Sequence, residues 1–185
     1  MAGLSHHERH SIVRALILHD WFKKHESLAL RRAINDGSFS LELLDELKAK
    51  DANILLEMGI PSDIVNLTGA NIPNRAEGPT VLAEKIILYV DIMLTNTEPV
   101  PIDERFDNLE RGWDGTKVDP ERARRYKFFS AAYQNKYGGK SMFEVQRALG
   151  RKLSLEFSEM FGYAGDPNKL PLFLKKKFQE KLGCP

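Results

Sequence analysis

Apolar residues in this 185-residue chain recur at spacings of three and four, the period of an amphipathic helix, and no segment alternates convincingly as a half-buried strand does. That property commits the chain to an all-α fold, and the helix boundaries are written in the same sequence. Ser5 and Glu8 form a capping box, in which the serine hydroxyl and the glutamate carboxylate each satisfy a backbone N–H left over at a helix start. The helix it opens is expected to run to about Asp20–Phe22, with Ile12, Val13, Leu16 and Ile17 facing the core. Lys48 to Met58 reads as another helix, stopped by Gly59 and Ile60-Pro61, and a short one follows from Ser62 to about Leu67.

A stretch rich in Gly, Asn and Pro, Thr68 to Thr80, separates these from Val81–Leu94, which is apolar on most sides and is therefore expected to be the central helix of the core. Asp119-Pro120 supplies an N-cap and a first-turn proline for a helix to about Tyr137. Gly138-Gly139 breaks it, and a second capping box, Ser141 with Glu144, opens a helix to about Gly162. A basic helix over about Asn168–Leu182 completes the chain. No repeat or low-complexity linker is present, so one domain is expected over residues 1–185: a helical core over about 5–97 and a C-terminal helical extension over about 102–185. The segment between Pro99 and Asp119 is the one candidate hinge, and Trp113-Asp114-Gly115 reads as a turn within it.

Composition narrows the function classes. With 42% apolar and 29% charged residues the chain has enough material for one core and is not of the disordered class. A net charge of +1 gives no bulk attraction to nucleic acid or anionic lipid. No apolar run approaches the ~18 residues of a membrane span, so no membrane partner is expected. Cys184 is the sole cysteine and has no internal disulfide partner, which with the lack of a secretory core predicts a cytoplasmic protein.

All five histidines lie in the first 25 residues. On a straight helix His10 and Asp20 are about 15 Å apart along the axis, whereas metal–donor bonds are about 2.0–2.2 Å. His6, His7 and His10 therefore belong to a solvated first turn and cannot share an ion with His19-Asp20. His6 and His10, at i and i+4, suit at most a stray ion. His19-Asp20 follows Leu16-Ile17-Leu18, which would bury both polar side chains at the end of a core helix. Asp91 stands in Ile86-Ile87-Leu88-Tyr89-Val90-Asp91-Ile92, a second acid in an apolar run. Buried carboxylates are costly unless paired, and a divalent cation pairs them; hydrogen-bonded structural acids are the alternative.

Taken in order, Leu16-Ile17-Leu18-His19-Asp20-Trp21-Phe22-Lys23, Met58-Gly59-Ile60-Pro61-Ser62-Asp63-Ile64-Val65 and Glu84-Lys85-Ile86-Ile87-Leu88-Tyr89-Val90-Asp91 resemble the successive motifs of the HD superfamily of metal-dependent phosphohydrolases. The resemblance covers roughly residues 8–97. It implies an HD-like helical bundle in which His19, Asp20 and Asp91 ligate a divalent ion (Mn, Mg, Co, Ni, Zn or Fe). Asp20 would also help orient a nucleophilic water, and Lys23 would sit near the substrate phosphate; a solvated helix end is the other reading of Lys23 and Lys24.

The pattern is not complete. The family's opening helix with its first histidine is missing ahead of His19, and Thr68-Gly69-Ala70-Asn71 stands where many two-metal relatives place another. His25 is the substitute the chain offers as a fourth ligand; otherwise it is a surface residue preceding the next helix. The activity the resemblance implies is hydrolysis of a phosphomonoester or nucleotide, with a small phosphorylated molecule as partner and homo-oligomers left open. A non-catalytic module binding a nucleotide or a protein partner is the alternative, and an iron-dependent oxygenase on the same scaffold a third, disfavoured by the shortage of histidines. Arg122, Arg124, Arg125 and Lys127, interleaved with Tyr126, Phe128 and Phe129, suit either a phosphate-binding face or the solvated side of an amphipathic helix; Lys175-Lys176-Lys177 reads as the same solvated face.

Overall fold

The computed structural model describes residues 3–69, 78–113 and 120–183, the side chains of residues 113, 121 and 122 excepted. The expectations placed on Asn71, Asp114-Gly115, the Asp119 cap, the Arg122 side chain and Cys184 lie outside the described residues. The fold is all-α: among the described residues the elements are α1 (His6–Leu18), α2 (Lys23–Asp36), α3 (Glu42–Glu57), α4 (Ser62–Thr68), α5 (Leu82–Met93), α6 (Ile102–Trp113), α7 (Pro120–Lys136), α8 (Met142–Phe161) and α9 (Leu170–Leu182). A 3₁₀ turn, Pro167–Lys169, leads into α9, and two short strands, β1 (Leu94–Thr95) and β2 (Glu98–Pro99), pair antiparallel as a tight hairpin after α5.

Both capping boxes form as the sequence dictates. The Ser5 and Ser141 hydroxyls each accept from the backbone N–H three residues on, while Glu8 and Glu144 accept from the cap N–H in return. Helix α8 ends on Gly162 at φ 63°, a left-handed conformation that glycine adopts without the Cβ penalty.

Helix α5 is the centre of the molecule, as its apolar sequence predicts. Ala83 and Ile87 pack with Leu4, Ile12, Ala15 and Ile64 of the α1/α4 side. Leu88, Tyr89 and Ile92 belong to a larger core with Ile102, Phe106, Tyr133, Phe143, Leu153 and Phe157, from α6, α7 and α8. The C-terminal helices thus supply much of the same core that α5 occupies. Gly150 of α8 makes the close approach feasible: a Cβ there would come 2.9 Å from Ile102 Cγ2 and 3.1 Å from Ile92 Cγ2.

Two expectations are corrected. The supposed hinge between Pro99 and Asp119 contains α6, anchored by Ile102 and Phe106, which are 0% and 2% exposed. Ile102, Phe106 and Leu109 stand at i, i+4 and i+7, with Asp103 and Glu104 in the first turn, a helical signature. Val13 and Ile17 do not face the core; they are 58% and 69% exposed. Helix α1 buries Ser11, Ile12 and Ala15, and one further step of about 100° carries Val13 out of that face. No described helix is long and apolar enough to cross a membrane.

Candidate metal and phosphate site

Helix α1 ends at Leu18, and its C-cap is His19. The turn that follows holds Asp20 and delivers Lys23 as the first residue of α2. Asp91 comes from the middle of the chain, on α5 one turn beyond Leu88. These four residues meet. His19 Nε2 lies 3.4 Å from Asp91 Oδ1 and 3.6 Å from Asp20 Oδ1, and Lys23 Nζ lies 2.8 Å from Asp20 Oδ2.

Burial within the cluster is uneven. The His19 side chain is 14% exposed, whereas those of Asp20 and Asp91 are 45% and 34% exposed. The expectation that the acids are buried is therefore corrected: helix α1 stops before Asp20, and the carboxylates stand at the rim of a cleft rather than in the core. It is the imidazole that is the more buried. Its Nδ1 lies 2.7 Å from the Leu16 carbonyl oxygen, which only accepts, so Nδ1 carries the hydrogen. Nε2 is then turned toward two carboxylate oxygens, buried and without a well-formed hydrogen bond. At 3.4 Å its contact with Asp91 is at the long limit of hydrogen bonding. Asp91 foremost, then the Leu16 carbonyl and Asp20, raise the His19 pKa above the ordinary imidazole value, against the opposing effect of burial.

Lys23 is not the cation at a solvated helix C-terminus. It sits at the N-terminus of α2, where the helix dipole repels a cation, and Asp20 holds it there. Helix α6 brings a further cation into range: Arg105 is half-buried, burial lowers its pKa, and the charge of Asp91 opposes that lowering.

His25 goes elsewhere. It lies in the first turn of α2 with Nδ1 3.8 Å from Asp51 Oδ1, and is 52% exposed over a carboxylate that is 6% exposed. Asp51 is buried on α3, neither of its oxygens has a hydrogen-bond partner, and burial followed by the neighbouring Glu26 pushes its pKa up to about 6. Glu26 is in turn ion-paired with Lys48. Sequence reading missed this group, although Leu44, Leu47, Asp51 and Leu55 share one helical face and mark Asp51 as core-facing. Thr68 is buried and donates its hydroxyl to the Val65 carbonyl at 2.7 Å.

The remaining histidines stay at the surface: the His6 and His10 ring centroids lie 4.2 Å apart with their planes tilted by 47°, and His7 Nε2 is 3.1 Å from Asp63 Oδ2. On the basic side of α7, Arg124 donates to Asn35 and Arg125 to Ser27 on α2, while Arg124 and Lys127 remain exposed.

A cleft of about 350 Å³ opens beside Asp20, Lys23 and Asp91. A second cavity of about 250 Å³ is lined by His19, Phe22, Asp51 and Thr68, and Glu26 and Lys48 line both. The donor set of one imidazole nitrogen and carboxylate oxygens suits divalent ions such as Mn, Fe, Ni or Zn. Among the described residues, no group of three or more His, Cys, Asp or Glu side chains is arranged around a common point as ion ligands are. The orphaned Nε2 is the feature that fits an ion.

No protein-family model, no curated protein and no solved structure matches this chain.

Proposed function

We propose that this chain is a divalent-metal-dependent phosphohydrolase of the HD type, acting on a phosphomonoester or nucleotide. One observation carries the reading. His19 Nε2 is buried, lacks a well-formed hydrogen bond and faces the oxygens of Asp20 and Asp91. With Nδ1 committed to Leu16, neutral His19 turns a lone pair toward anionic oxygens, an arrangement that a proton or a cation between them relieves. The raised His19 pKa is the proton's answer; a metal ion is the other.

In this reading His19, Asp20 and Asp91 would hold the ion, which would supply Lewis acidity toward water and phosphate. Asp20, reaching both His19 and Lys23, orients the attacking water. Lys23 Nζ, 69% exposed at the cleft mouth, neutralises charge that develops on the phosphoryl oxygens. The measurement that checks it is release of inorganic phosphate from a panel of phosphomonoesters and nucleotides with Mn²⁺, Mg²⁺, Co²⁺ or Ni²⁺. The wild type is expected to turn over at least one of them while Asp91→Ala does not; equal rates for the two proteins refute the assignment. The second reading, a non-catalytic binding module, is favoured by the engagement of His25 with Asp51, which leaves a single histidine in the cluster.

A further inference from the structure

The cleft beside Asp20 has a polarity gradient. Lys23, Asp20 and Asp91 at its mouth are 69%, 45% and 34% exposed. Its inner wall is apolar: Leu88, Phe129, Met142, Phe143 and Leu149 are each under 9% exposed. The remaining charged lining groups, Glu26 and Lys48, neutralise one another as an ion pair. Among the described residues that line it, Gln146 is the one uncharged polar side chain. At about 350 Å³ the cleft falls in the size range of small-molecule sites, roughly 300–1,000 Å³.

A ligand entering this cleft leaves an anionic head among Lys23 and the candidate metal ligands and pushes its other end against hydrocarbon. A nucleobase or polyol in that inner space would give up hydrogen bonds to water and regain few of them. We propose that the cleft selects phosphate monoesters whose organic part is apolar, an aryl or short alkyl group lying against Leu88, Phe129 and Phe143. The proposal rests on the phosphohydrolase reading and names its substrate class. The reaction is a hydrolysis: the water oxygen forms a bond to phosphorus and the ester P–O bond breaks. The electron pair leaves on the phenol or alcohol oxygen, which takes up a proton, and inorganic phosphate is the second product.

Calorimetric titration of the full chain, metal-free and with Mn²⁺, compares 1-naphthyl phosphonate (which cannot be hydrolysed), glycerol 1-phosphate and adenosine monophosphate. The naphthyl compound is expected to bind about tenfold more tightly than either of the others. Two variants narrow the cleft from two different helices at half-buried positions, Leu30→Trp on α2 and Leu109→Trp on α6. Each is expected to weaken naphthyl binding by about fivefold or more and leave glycerol 1-phosphate unchanged, and circular dichroism reports which of them is folded. Equal affinities, tightest binding of the nucleotide, or a folded tryptophan variant that binds the naphthyl compound undiminished overturns the cleft assignment. So does self-association of the chain that the tryptophan variants abolish, because a second copy is then the occupant. Turnover of glycerol 1-phosphate or the nucleotide with no naphthyl preference leaves the phosphohydrolase reading standing and refutes only the substrate class. Tight naphthyl binding with no ester turned over refutes the phosphohydrolase reading and the substrate class with it, and leaves only the apolar preference of the cleft.

Discussion

His19 and His25 lie six residues apart and each faces a carboxylate, yet their burial is inverted. His19 is 14% exposed and its acids, Asp20 and Asp91, are 45% and 34% exposed. His25 is 52% exposed and its acid, Asp51, is 6% exposed. In the first pair the ring is fixed by the Leu16 carbonyl and the carboxylates stand open at a cleft, so the polar groups are pre-positioned for something arriving from solvent. In the second the carboxyl is shut away beside Glu26, and burial together with that neighbour raises its pKa to about 6. Equal residue types at similar distances therefore sit in different surroundings, and burial of the acid is what divides them.

The sharpest way to break the contrast is to remove the open acid. Asp20→Ala is expected to lower phosphate release by at least about a hundredfold, since it takes away an ion donor and the water-orienting carboxylate together. Because Asp20 is half-exposed, unfolding stability should move by no more than about 1 kcal/mol. Asp91→Asn should cost about ten- to a hundredfold in activity. Its separate signature is a His19 imidazole that titrates at lower pH in NMR than in the wild type, because Asp91 is the foremost cause of the raised value.

The buried acid should behave in the opposite way. The Asp51 pKa is raised from 3.8 to about 6, so the native state holds that proton more tightly than the unfolded chain does. Its contribution is complete below pH 3.8 and is lost as pH rises through about 6. Asp51→Asn removes this loss: above pH 6 it should be more stable than the wild type by about 1 kcal/mol, the advantage disappearing in acid. His19 has the same sign in a different window, with stability fully present below its unfolded value of about 6.5 and lost as pH rises through its raised native value. Denaturant titrations at stepped pH separate the two. The smallest effect belongs to His25→Ala, expected to stay within about 0.5 kcal/mol and about twofold in activity; a large loss of either would place His25 in the reactive cluster after all.

Helix starts were legible wherever a local cap existed: both S-x-x-E boxes mark their helices to the residue. Helix α6 was lost because Pro99 and Pro101 precede it and its start lacks such a box, although its apolar spacing was present. The pairing of His19 with Asp91 across 72 residues was anticipated only through resemblance, because no local rule brings α1 and α5 together. The burial of the two acids was misjudged for a related reason. An apolar run predicts a buried face only while the helix continues, and α1 stops one residue before His19. Asp51 was overlooked because an acid between leucines resembles a solvated helix position until its helical register is drawn.

Metal content tests the central claim most directly. Protein purified without an affinity tag, loaded with Mn²⁺ and desalted, should retain about one ion per chain. Asp20→Ala should retain almost none, while Asp51→Ala, altered in the other acid, should retain as much as the wild type. A wild type that holds no ion, or an Asp20→Ala protein that holds as much, contradicts the assignment of His19, Asp20 and Asp91 as the metal centre.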